Sequence, residues 1–208
     1  MLFYRAALDL SHPTRDFVAG LIRRHRRRIG SRWRSVPEGR QALRSAARKA
    51  FVILDGSLIA TDRLSGAADR LHYSGKHRRH GVNVQFMTDP HGELIWASPA
   101  LPGSTHDLTA ARVHGIIDGL TSRAIACFAD KSYVGAGGAI GTPYKRKKGR
   151  KLGKRKKLFN RHHARIRALG ERGAATLKNW HILRKARCSP SRLSDIVRAI
   201  LTLHHQAR

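Results

Sequence analysis

Three acids stand out by where they fall. Asp55 interrupts "FVILDGSLI" (51–59), an apolar run in which burying a carboxylate is costly. Asp130 ends a second apolar run, "AIACFAD" (124–130), and Glu171 lies in the basic, helix-like stretch "RIRALGERGAATLK" (165–178). The chain holds only 13 Asp and Glu against 42 Lys and Arg, so acids placed beside a core carry information. Phosphoryl transfer on nucleic acid commonly uses two divalent metals about 3.5–4 Å apart. Mg²⁺ is a hard cation that prefers oxygen ligands, so carboxylates must hold it. Two Asp at adjacent strand ends and one Glu from a helix beside them would make such a cluster, and basic surroundings would attract a phosphate backbone.

Each acid also has a plainer reading. Asp55-Gly56 can be a simple turn, and Asp130 can cap the loop that follows it. Taken singly, Glu171 is best read as an ion-pair partner of Arg167 at i,i+4, or of Arg172, on a solvated helix face. Asp107 is a fourth candidate, but with Ser104 it fits a capping box, which gives it a structural job. Asp62, Asp69, Asp89, Glu93, Asp118 and Asp195 read as ordinary loop or helix-surface acids. Among the 13 His, none falls in an HxxxH pair or beside a paired Cys, and His162, His163, His204 and His205 are expected on basic helix faces. The Gly cluster "YVGAGGAIG" (133–141) lacks the Lys-Ser/Thr of a phosphate loop. Trp96, Tyr133 and Trp180 are expected in the core more than on a base-stacking surface.

The elements that must position these residues can be read along the chain. Residues 1–50 look helical and strongly basic, an N-terminal segment distinct from a domain spanning 51–208. "FVILDGSLIATDR" reads as a strand, and "HGVNVQFMTDPHGELIWASPA" as two strands around a turn at Asp89–Gly92. A helix follows in "GSTHDLTAARVHGIIDGL", then the short strand ending at Asp130. The basic run 145–157, "KRKKGRKLGKRKK", reads as a solvated loop that orders on DNA. A long helix is expected over 160–183 and an amphipathic one through "LSDIVRAILTLHH". The order predicts an α/β domain with an antiparallel three-strand meander and a fourth strand reached through a helix, as in a ribonuclease-H-like core: a mixed sheet flanked by helices.

A chain of 208 residues suits one domain with a core and a small appendage. Its net charge of +29 and pI near 11.7 favour a polyanionic partner, nucleic acid first and an anionic membrane surface second. Cys127 and Cys188 form no CxxC pair, which argues against a zinc site or a disulfide framework. No apolar run approaches the roughly 20 residues of a membrane span, and the first residues are too polar for a signal peptide. A soluble, intracellular protein is expected.

Together, "ILDGSLIATDR", "YSGKHRRHGVNVQ", "GELIWASPALPGSTHDLTAAR", "FADKSYVGAGG", "TPYKRK" and "FNRHHARIRALGERGAATLKNWHILRKARCSP" resemble the DDE superfamily transposases of bacterial insertion sequences, in the group related to harbinger-type elements. The resemblance implies a ribonuclease-H-like catalytic domain and an acidic triad that binds two Mg²⁺ or Mn²⁺. Residue by residue, it assigns the triad to Asp55, Asp130 and Glu171. His106-Asp107 matches the family's HD pair, ranked below the triad as a helix-start or supporting acid. Lys145, Arg146, Lys147, Lys148, Arg167 and Lys178 are the implied DNA contacts. The implied chemistry is hydrolysis of a phosphodiester at the transposon end by an activated water, then attack of the freed 3′-OH on target DNA. A homo-oligomer acting on DNA at the nucleoid of the bacterial cytoplasm goes with it.

Two departures qualify the match. Only "RSAARKA" separates Leu43 from Phe51, where the family places a helix-turn-helix region, so the chain looks internally shortened, with weakened recognition of transposon ends. Ser132 stands where the family's motif has Gly, which would strain a turn if φ there were positive. The competing readings are a non-catalytic basic nucleic-acid-binding protein and a nuclease that cuts without joining.

Overall fold

A computed structural model describes residues 43 and 45–206. The chain divides into two compact units, Met1–Ala42 and Leu43–Arg208, and the described residues all belong to the second. The expected basic helical segment 1–50 lies almost wholly outside them.

The apolar run around Asp55 forms the central strand β1 (Val52–Thr61). It pairs antiparallel with β3 (Arg79–Thr88), which in turn pairs antiparallel with β4 (Leu94–Ala97). This is the expected meander, and its turn is closed by Asp89. A short helix α1 (Ala67–His72) and strand β2 (Tyr73–Ser74), which pairs with β3, fill the β1–β3 connection. Strand β5 (Leu101–Pro102) also adds to β3. Two helices follow, α2 (Asp107–Val113) and α3 (Ile116–Thr121). A left-handed Gly115 (φ 63°) breaks what the sequence suggests is one helix.

The chain then returns as β6 (Cys127–Ala129), parallel to β1, and β7 (Ile140–Gly141), parallel to β6. A long helix α4 (Lys154–Asn179) crosses back over the sheet. Strand β8 (Lys185–Ala186) pairs parallel with β1, and α5 (Pro190–Gln206) ends the described chain. The result is a mixed sheet in the order β2-β3-β1-β6-β7, flanked by helices.

Side chains alternate across a strand, and here the alternation sorts the two faces. Ile53 meets Gly170 of α4, while Gly56 is directed at Asp107 of α2. On the α4 face the core joins Ile59, Val84, Phe86 and Leu94 to Leu177, Leu183, Leu193, Val197 and Ile200. Gly170 and Gly173 let α4 lie close on the sheet. A Cβ at 170 would fall 2.7 Å from Ile53 Cγ2, and one at 173 would overlap the Thr88 methyl. Trp96 and Tyr133 are buried, and Trp180 packs against the core, as expected.

Several local expectations fail for identifiable reasons. Helix α4 begins at Lys154, so the basic run is helical over its last residues and forms a loop only before them. Helix α2 is capped by His106, whose Nδ1 accepts from Leu108 N at 3.3 Å, and not by Ser104, whose own N–H bonds to Leu71 O. His163 is buried rather than on a solvated face, bonded to Gly141 O at 3.2 Å and packed against Phe128. Asp89 is buried as well: it accepts from His91 N (2.8 Å) and Glu93 N (3.0 Å) and pairs with Lys49 (2.9 Å). Ser132 does not have a positive φ, so the expected strain is absent.

Candidate active site

Asp55 sits inside β1, one residue beyond the register pair Leu54–Ala129, and Asp130 immediately follows Ala129 at the end of β6. Parallel pairing therefore sets the two acids side by side at the middle of the sheet. The turn reading of Asp55-Gly56 is excluded, because both residues are within a paired strand.

Each carboxylate is oriented by its own backbone. Asp55 Oδ1 accepts from Gly56 N at 2.9 Å. Asp130 Oδ1 accepts from Ser132 N at 2.7 Å, and the Ser132 hydroxyl donates to Oδ2 at 3.2 Å. Asp130 thus caps the 3-10 turn Lys131–Tyr133, as its plainer reading expects. Burial pushes the Asp55 carboxyl above its ordinary range and the charge of Asp130 adds to this, although Arg167 and the Gly56 amide oppose it.

Arg167, on α4, reaches Asp55 Oδ2 through one guanidinium nitrogen at 3.1 Å. The bond is single rather than bidentate, and the buried Arg167 Nε has no partner among the described residues. Glu171 lies one helical turn further along, on the flank of α4 from which Arg167 extends. It is exposed and makes no ion pair among the described residues, so the expected pairing with Arg167 or Arg172 is absent. The structure therefore brings Asp55 and Asp130 together and leaves Glu171 outside. Among the described residues, no three His, Cys, Asp or Glu form a group able to hold a metal.

Asp107 approaches β1 from the opposite face, where a side chain on residue 56 would overlap its carboxylate. It is nearly buried and fully engaged. Asn83 Nδ2 donates to Oδ1 at 2.8 Å, Gln85 Nε2 reaches the same oxygen at 3.4 Å, and Lys76 Nζ binds Oδ2 at 2.9 Å. The Tyr133 hydroxyl donates to Gln85 Oε1 and closes this buried network. Burial would raise the Asp107 carboxyl, but the Lys76 and Asn83 hydrogen bonds outweigh it and hold the group below its usual range. Burial and the charges of Asp107, Asp55 and Asp130 push the Tyr133 hydroxyl far up, so it stays a neutral donor.

The sequence reading missed Lys76, Asn83 and Gln85. A lysine among 42 Lys and Arg carries no signal by itself, and two amides on a strand look like ordinary polar positions. Lys76 also lines a cavity of about 250 Å³ with His77, Ser104, Thr105 and His106.

Of the expected DNA contacts, Lys145, Arg146, Lys147, Lys148 and Lys178 are exposed, while Arg167 is the partner of Asp55. The start of the basic loop is tethered: Asn160 brackets the Tyr144 backbone at 2.9 and 3.0 Å, and the Tyr144 ring packs on Phe159. Among the described residues, no helix is long and apolar enough to cross a membrane.

Comparison with known proteins identifies the family. The chain is 27% identical over 158 residues to a probable transposase for insertion sequence element IS702 from Microchaete diplosiphon. The aligned region covers 74% of this chain and 56% of that protein, so the chain spans about half the length of the relative it matches. No solved structure matches the chain. Residues 54–205 match the family described as DDE superfamily endonuclease, from the strand carrying Asp55 to the last helix. With most of its length inside that match, the chain belongs to the DDE superfamily endonucleases.

Proposed function

We propose that the chain carries the catalytic domain of an insertion-sequence transposase, with a ribonuclease-H-like core, that cuts DNA at element ends and joins it to target DNA. The observation that supports this reading is that Asp55 and Asp130 each directly follow the register pair Leu54–Ala129 of parallel strands β1 and β6. Asp55 is disfavoured as a free carboxylate by burial and by its acidic neighbour. A hard divalent cation between the two acids would offset both effects, and the donor oxygens fit Mg²⁺ or Mn²⁺. When bound, two such ions supply charge for the phosphodiester and a more acidic attacking water.

The chain's own residues supply the rest. The amides of Gly56 and Ser132 hold the carboxylates in fixed orientations. Arg167 balances Asp55, and its partnerless Nε is a donor for a phosphate oxygen once the guanidinium swings away. Glu171, carried on the same flank of α4, is the third carboxylate of the working site, and it joins Asp55 and Asp130 when DNA and metal arrive. Lys145, Arg146, Lys147, Lys148 and Lys178 hold the strand backbone. His106 and Asp107 support the site from the other face. DNA is the partner, a homo-oligomer assembles on it, and the protein works at the nucleoid of a bacterial cytoplasm.

The test is Mg²⁺-dependent cleavage and strand transfer on DNA bearing the element's ends, wild type against Glu171→Gln. Loss of both steps in the variant supports the reading, and equal activity refutes the role of Glu171. Cleavage without joining would favour a simple nuclease.

A further inference from the structure

The acids on the two faces of the sheet are connected through two side chains. Lys76 Nζ donates to Asp107 Oδ2 at 2.9 Å and to Ser132 Oγ at 3.3 Å. Ser132 Oγ in turn donates to Asp130 Oδ2 at 3.2 Å. A hydroxyl has one proton and two lone pairs. Because Oγ accepts from the ammonium, its single proton is free to point at Asp130. The direction of the chain is therefore fixed from Lys76 through Ser132 to Asp130, with Asp107 anchoring the lysine.

The anchor is firm. Asp107 is itself held by Asn83 at 2.8 Å, and Asn83 is held by Gln85 at 2.8 Å. We propose that Lys76 and Ser132 form a positioning relay that fixes the Asp130 carboxylate for metal binding. Ser132 is thus more than a tolerated substitute for glycine at this turn: its backbone N–H satisfies one Asp130 oxygen and its hydroxyl satisfies the other. Groups that orient a metal-binding carboxylate are commonly worth about 10-fold or more in metal affinity. The inference rests on the reading of Asp55 and Asp130 as metal-holding acids.

The probe is Mn²⁺ alone, titrated into the full chain and followed by electron paramagnetic resonance. Ser132→Ala is expected to weaken binding about 10-fold with its melting temperature unchanged. Ser132→Thr, which keeps the hydroxyl, is expected to restore it. Lys76→Met is expected to weaken binding too, and to add nothing once Ser132 is Ala, because the two act in series. A wild-type Mn²⁺ site that is lost in Asp130→Asn but survives Ser132→Ala overturns the relay alone. A wild type with no Mn²⁺ site overturns the metal reading, and the relay with it.

Discussion

Asp55 and Asp130 follow a single register pair, Leu54 beside Ala129, on parallel strands, so the sheet itself fixes two carboxylates as neighbours. The consequence is a charge conflict. Burial, then Asp130, push the Asp55 carboxyl above its ordinary value of 3.8. Its folded value exceeds its unfolded one. The contribution to stability is thus fully present below the unfolded value and is lost as pH rises through the folded one. At neutral pH the ionised Asp55 weighs against the fold. Asp55→Asn is expected to melt on the order of 2–4 °C higher at pH 7, and level with wild type near pH 4. Its amide oxygen still serves Arg167. Thermal melts at both pH values check this, and a lower melting temperature at pH 7 would contradict it.

Arg167 would compete with a cation for Asp55. The pair is about three-quarters buried, at 26% and 23% exposure, yet it is joined by one bond only. Arg167→Met is expected to raise the Mn²⁺ affinity of the chain about 5-fold, the size of a modest ion pair. DNA phosphates that draw the guanidinium away should have the same effect on wild type. Calorimetric Mn²⁺ titration with and without duplex DNA measures both, and unchanged affinity in the variant would dismiss the competition.

Asp107 is expected to matter for the fold first. Its folded value lies below the unfolded one, so its stabilising contribution is present above the unfolded value and fades as pH falls through the folded value. Asp107→Ala would remove the acceptor that Lys76, Asn83 and Gln85 share, at a cost of about 1–3 kcal/mol. Urea unfolding at pH 7 measures that loss, and the gap to wild type should narrow in acid.

The close approach of α4 is expected to be intolerant of even one methyl. Alanine gains about 1 kcal/mol over glycine in a helix. At 170 that gain is set against an overlap 2.7 Å from Ile53 Cγ2, where overpacking costs about 1–3 kcal/mol. Gly170→Ala should therefore be neutral to destabilising by about 2 kcal/mol, and it should weaken DNA cleavage by lifting the flank that carries Arg167 and Glu171. A clearly stabilised variant would show that the helix sits further from the sheet.

Replacing Lys145, Arg146, Lys147 and Lys148 together with Gln should weaken binding to all DNA sequences alike. The slope of log affinity against log salt should fall by roughly 3–4 for duplex DNA. Fluorescence anisotropy over a salt series reads this directly. An unchanged slope would remove the exposed loop from the interface.

The strand bearing Asp55, the meander and the acid at the end of β6 were legible because apolar runs and turn residues are local signals. The partnership of Asp55 with Asp130 was suggested by residue type, but it required the parallel register that only tertiary pairing provides. The helix start at Lys154 was hidden because a lysine-rich run reads as solvated whether coiled or helical. His163 was misread for the same reason: its basic neighbours mask an inward-facing ring. The Lys76–Ser132–Asp130 connection was invisible, because its members lie far apart in sequence and each is unremarkable alone. Glu171 was chosen for its place on a helix, and that helix does come over the sheet beside Asp55. Its side chain, however, is exposed, and Arg167 is the group on that helix that reaches Asp55.

The central claim is that Asp55 and Asp130 together hold a divalent cation. Mn²⁺ titration of wild type, Asp55→Asn and Asp130→Asn, followed by electron paramagnetic resonance, tests it most directly. Wild type is expected to show a site whose affinity falls at least about 10-fold in either variant. Equal Mn²⁺ binding by all three proteins would contradict it.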